Sequence, residues 1–138
     1  MKTAEQLLDE LESSEIKSYL SENSKEFVID NIADILNEII EKKNLIKSEV
    51  IEHSQLNKVY AYQILQGKRF PSRDKIIPLC MAMNLTLEET QEVLKRANMP
   101  MLYVRNRRDC IIIFAITKGL TVFACNELLY ESNEKILG

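Results

Sequence analysis

The stretch from Ser48 to Ser72, SEVIEHSQLNKVYAYQILQGKRFPS, constrains this chain more than any other. Val50, Ile51, Leu56, Ala61, Ile64 and Leu65 place apolar side chains at helical spacing on either side of a polar break at His53 to Gln55. Asn57 is a good N-cap, and Gly67 is the residue expected where a helix ends in left-handed backbone, so the pattern predicts a helix over Lys58 to Gln66. Two short helices joined by a tight turn and closed by a punctuated exit are the layout of a helix-turn-helix.

With Ala61, Ile64 and Leu65 turned inward, the 3.6-residue period leaves Lys58, Val59, Tyr62, Gln63 and Gln66 facing outward. These are side chains suited to base edges in a duplex. Gln pairs with adenine, Lys serves guanine or phosphate, and Val or Tyr touches a thymine methyl. Lys68 and Arg69 follow the glycine, with Arg73 beyond them, where a phosphate backbone would pass.

The run QGKRFPSRDKIIPLCMAMNLTLEE, from Gln66 to Glu89, resembles the region after the recognition helix in phage-repressor and Cro-type (XRE) DNA-binding domains, the lambda-repressor-like family. Gly67, Lys68, Arg69, Pro71, Ser72 and Thr86 carry the match. The resemblance covers roughly Ile29 to Met99. It implies a compact five-helix domain that binds double-stranded operator DNA as a homodimer, with two major-groove half-sites about one helical turn apart. Three positions depart from the family pattern: Ile51 stands where a small residue is usual, Gln55 where the turn usually has Gly, and Ala61 where a branched apolar residue is usual. Ile51 and Ala61 are expected to face each other, exchanging large for small at conserved volume.

Fold class is expected to be all-α. The domain reading is an acidic N-terminal helical extension (1–25), the helix-turn-helix domain (26–100) and an appended C-terminal helical hairpin packed on the same core (101–138). Helices are expected over Ala4–Leu11 behind a Thr3/Gln6 capping box, over Glu15–Ser21, and over Lys25–Lys43 with Phe27, Val28, Ile32, Ile35, Leu36, Ile39 and Ile40 as its inward stripe. The net charge of −3 conceals a segregation. Residues 1–41 hold three Lys against eleven acids, whereas residues 42–118 hold fourteen Lys and Arg against seven. The basic part contains the whole helix-turn-helix, and local basic surface is what meets phosphates.

The C-terminal part repeats what precedes it. Residues 73–99 and 108–134 align without gaps at an offset of 35 with nine identities in 27, among them Arg73/Arg108, Asp74/Asp109, Thr86/Thr121 and Leu94/Leu129. Within the second copy, CIIIFAI at 110–116 is apolar on every helical face, which predicts burial on all sides. Arg105, Arg107 and Arg108 crowd the start of that helix against its dipole, so they are expected to meet DNA phosphate, the acidic N-terminal helices or nearby acids.

That apolar run is far too short to span a bilayer, and the polar N-terminus does not read as a signal peptide, so a cytoplasmic setting without membrane contact is expected. Cys80, Cys110 and Cys125 lack metal-ligand spacing and are expected as buried thiols. The single histidine, His53, has no partner for metal chemistry. No phosphate loop, HExxH or nucleophile-base spacing is present, so neither enzyme activity nor a cofactor is expected. Two functions remain: a sequence-specific DNA-binding transcriptional regulator, and a protein-interaction module on a repressor-like scaffold, partnered through the acidic N-terminus or the C-terminal hairpin.

Overall fold

The computed structural model describes residues 2–13, 15–17 and 31–138. All regular structure in them is helical. The helices are α1 (Ala4–Ser13), α2 (Ile32–Lys42), α3 (Lys47–His53), α4 (Lys58–Leu65), α5 (Arg73–Ala82), α6 (Leu87–Arg96), α7 (Arg107–Thr117) and α8 (Val122–Glu131). No helix among the described residues is long and apolar enough to cross a membrane.

Several starts and stops have a local cause. Thr3 and Gln6 exchange backbone and side-chain bonds ahead of α1, at 2.9 and 3.1 Å. The Asn31 side chain accepts from the Ala33 N–H at 2.9 Å and starts α2 there. The earlier part of the expected 25–43 helix, with Phe27 and Val28, lies outside the described residues, as does most of the expected 15–21 helix. Thr86 and Glu89 form a reciprocal box that opens α6. Chain reversals fall on Asn44, Gln55, Gly67, Asn84, Asn98, Gly119 and Asn133, all with positive φ. Asn and Gly tolerate that region; Gln55, at φ 63°, is the exception.

Helices α2, α3 and α4 pack as a small cluster, with α4 on both α2 and α3 and with α3 on α5. Beyond it α5, α6, α7 and α8 close a ring in which each helix packs on two neighbours. The fully buried Ile35, Leu36, Ile64, Ile76, Ile77, Leu79, Leu94, Ile112 and Leu129 run through both parts as one core.

The repeat at offset 35 is a structural one. Helix α5 corresponds to α7 and α6 to α8, and α5 packs on α8 as α6 packs on α7. The arginines and aspartates at its start are swapped across the pseudo-two-fold. Arg73 donates to Asp109 through both guanidinium nitrogens at 3.1 and 2.5 Å, and Arg108 donates to Asp74 at 2.9 and 3.1 Å. The correspondence outlasts the identities. Gln91 brackets Leu102 by accepting from its N–H and donating to its C=O, both at 2.8 Å, and Asn126 does the same to Leu137 at 2.8 and 3.2 Å.

Two expectations for the second copy are corrected. Helix α7 is not buried on all sides: Ile112, Ala115 and Ile116 face the ring, while Phe114 is 49% exposed and Cys110 is exposed. The physical reason is that α7 packs mainly on α6 and α8 and meets α5 through the Arg–Asp pairs at its start, whereas its counterpart α5 also packs on α3. Cys80 and Cys125 are buried as expected; Cys110 sits on the open side of α7.

Candidate nucleic-acid interface

Helix α4 is held at both ends. The Asn57 carboxamide oxygen accepts from the Tyr60 N–H at 3.0 Å, satisfying one of the orphan donors of the first turn. At the other end Gly67, at φ +78°, lets its N–H reach the Ile64 C=O while the Lys68 N–H reaches the Gln63 C=O at 2.9 Å. That is the Schellman exit, in which two otherwise unpaired carbonyls are closed. Asn37 of α2 ties the two helices by donating to Ala33 O at 2.8 Å and to Leu65 O at 2.7 Å.

The turn before α4 is equally determined. Ser54 is buried, donates its hydroxyl to Ile51 O at 2.6 Å and receives the Leu56 N–H at 3.3 Å. Ile51 and Ala61 are both buried, on the facing helices α3 and α4. Ala61, Ile64 and Leu65 fasten α4 to the core.

The residues expected on its other side differ in exposure. Lys58, Val59 and Gln66 are exposed, Val59 to 66%, whereas Gln63 is half-buried and Tyr62 is half-buried and packs against the core. Lys68 and Arg69 are exposed just past the end of the helix. Arg69 Nε donates to Gln63 Oε1 at 2.9 Å, and its guanidinium carbon lies 5.8 Å from the centre of the Tyr60 ring. Gln63 therefore keeps its amide N–H groups for an acceptor outside, with the carboxamide plane steadied by a cation. Lys75 Nζ also stands 5.4 Å from the centre of the Tyr60 ring.

Arg73, grouped with Lys68 and Arg69 from its place in the chain, is engaged differently. Its guanidinium is largely covered and bonded to Asp109, with Pro100 and Met101 carbonyls at 3.4 Å. The start of α7 is likewise occupied by acids: Arg108 meets Asp74, and Arg107 lies 3.4 Å from Glu134. Sequence reasoning missed Phe70, 90% exposed between Arg69 and the buried Pro71. Its position in the KRFPS run was visible, but no periodicity assigns a side to a loop residue.

Among the described residues no group of three or more His, Cys, Asp or Glu could hold a metal ion. Burial pushes the Cys80 thiol up to about 12 and the Cys125 thiol up to about 11. Neither is disposed to act as a nucleophile, since the thiolate is the reactive form.

No family model, curated protein or solved structure matches this chain.

Proposed function

We propose that this chain is a sequence-specific DNA-binding transcriptional regulator that lays α4 in the major groove. The observation that carries the reading is the open polar side of α4, ending directly in the exposed Lys68 and Arg69. The order and packing of α2 to α6 support an arrangement of the lambda-repressor kind, with α3 and α4 as its helix-turn-helix. In this reading Lys58, Val59, Tyr62, Gln63 and Gln66 meet base edges, and Lys68 and Arg69 meet phosphate. Arg73 contributes by joining the two hairpins rather than by touching DNA.

Arg69 has a second part to play. Because it holds Gln63 Oε1, it orients the carboxamide that reads the base. Binding to a pool of random duplexes at two salt concentrations tests the assignment. Lys68→Ala should weaken binding across all sequences and lower the salt slope by about 1. Gln63→Ala should relax sequence preference, and Arg69→Ala should do both. An absence of salt-dependent binding by the unmodified chain, together with recovery of a protein partner, would instead make it an interaction module.

A further inference from the structure

The ring of four helices is two copies of one hairpin, yet only the first copy has its outer side covered. In α5, Ile77, Cys80 and Met81 correspond to the buried Ile112, Ala115 and Ile116 of α7, the residues that face the ring. Ile76, Leu79 and the C-cap Met83 lie on the remaining side of α5 and are all buried, and α5 also packs on α3. Their counterparts at offset 35 are Ile111, half-buried, Phe114, 49% exposed, and Lys118, exposed. So the side of α7 that corresponds to the covered side of α5 stands partly open, with Ile111 and Phe114 on it.

Exposed apolar side chains gather in the same half of the molecule. From residue 31 onward the exposed large hydrophobics before Pro100 are Ile46, Val59 and Phe70, whereas seven follow it, including Phe114, Phe123 and Tyr130 at 77%. Phe114 lies on the outer side of α7 with Arg107, Cys110 and Lys118. Tyr130 lies on the outer side of the adjoining α8 with Glu127 and Glu131. An exposed apolar patch rimmed by charge marks an interaction surface.

We propose that the outer side of the α7–α8 hairpin is an interface with a second copy of this chain, related by a two-fold axis. The charges select that occupant and its register. The exposed charges on the outer side of α7 are basic, Arg107 and Lys118, and those of α8 are acidic, Glu127 and Glu131. An isologous contact presents the same patch from both sides, so a self-complementary patch must hold both signs. Laying α7 of one copy on α8 of the other brings the basic outer side of α7, with Lys118, over the acidic outer side of α8, with the exposed aromatic side chains of both helices between them. Antiparallel stacking of α7 on α7 would set Lys118 against Arg107 and be repelled. The interface deepens the DNA-binding reading, on which the need for paired half-sites rests.

The test is sedimentation equilibrium of the full chain without DNA, up to about 100 µM, a range suited to a contact at the small end of specific interfaces. The chain should be dimeric, and Phe114→Asp should weaken the dimer roughly thirtyfold, the loss typical of an interface anchor. Ile46→Asp, an exposed change at the N-cap of α3 and outside the α7–α8 hairpin, should leave the dimer intact. Because Phe114 is only 49% exposed, Lys118→Glu is measured beside it; this exposed change sets like charges against the partner's acids and should also favour monomer. A monomeric chain throughout, or a dimer indifferent to Lys118→Glu and to a folded Phe114→Asp, overturns the interface. A dimer that binds no DNA would remove the regulator reading and leave this interface standing; DNA binding by a monomer would do the reverse.

Discussion

At the scale of single residues, a large–small pair between α3 and α4 and two protected thiols bear on stability. Ile51 and Ala61 are both buried on packed helices, so truncating the larger one leaves a cavity. Ile51→Ala should cost about 2–5 kcal/mol in chemical denaturation, and adding Ala61→Ile should restore much of it. A double mutant less stable than Ile51→Ala alone would show that the two do not share one space. The cysteines give a second readout. Cys110 should react at once with a thiol reagent, whereas Cys80 and Cys125 should react only as the chain opens. Their raised folded values also set a sign with pH. The unfolded thiol loses its proton near 9.0 while the folded ones hold theirs to about 12 and about 11. The unfolded state therefore binds fewer protons above pH 9, and the stability these two thiols give, complete below that, is lost as pH rises toward the folded values. Glu89 acts at the other limit: the Thr86 backbone N–H and then Lys43 hold its carboxyl below 4.5, so its contribution is present above that value and lost as pH falls through the depressed one. Denaturation midpoints that stay flat from pH 8 to 11 would contradict the thiol part.

At the scale of elements, the caps and the turn were legible in the sequence because their chemistry is local. Asn57, Gly67, Thr86 and the Thr3/Gln6 pair needed only their own neighbours to be read. The repeat was legible as well, but its use was not. Identity of Arg73 with Arg108 and of Asp74 with Asp109 does not say that each arginine reaches the other copy's aspartate, which depends on how the hairpins turn about the pseudo-two-fold. The Gln91 and Asn126 brackets escaped because different side chains perform the same double hydrogen bond. The apolar run 110–116 misled for the opposite reason: composition states what a helix could bury, and only its neighbours decide what it does. The swapped pairs lead to a prediction that separates structure from binding. Asp109 is buried, and apart from the Tyr103 N–H at 3.0 Å its carboxylate is answered by Arg73. Removing that arginine strands a buried charge, so Arg73→Ala should lose about 3–5 kcal/mol of stability. In the Arg108–Asp74 pair the carboxylate is more open, 20% exposed against 5% for Asp109, and Arg108→Ala should cost less. An Arg73→Ala protein as stable as the parent but weak on DNA would return that residue to the phosphate contacts.

At the scale of the whole molecule, charge is arranged so that an acidic end precedes a basic body. Helix α1 holds Glu5, Asp9, Glu10 and Glu12 on a scaffold whose Leu8 and Leu11 are 55% and 40% exposed. Such a helix is soluble through its acids and carries apolar surface available for contact. Residues 1–24 contain two Lys and six acids, a net charge of −4 within a total of −3, so the remainder of the chain stands at +1. If the basic body is what DNA meets, the acidic end lowers the local potential that draws phosphates in. Deleting residues 1–24 should then strengthen binding to duplex DNA by about three- to tenfold at low salt. The gain should shrink toward 0.15 M, where the screening length falls to about 8 Å. Specific contacts by α4 would be untouched, so sequence preference should stay as it was while the affinity for all sequences rises together. Paired titrations of the two forms across salt, on one preferred and one scrambled duplex, separate the cases. Equal affinity at every salt concentration would mean that the acidic end stays beyond screening reach of the duplex, and a drop in affinity would mean that the N-terminal segment is part of the folded DNA-binding unit.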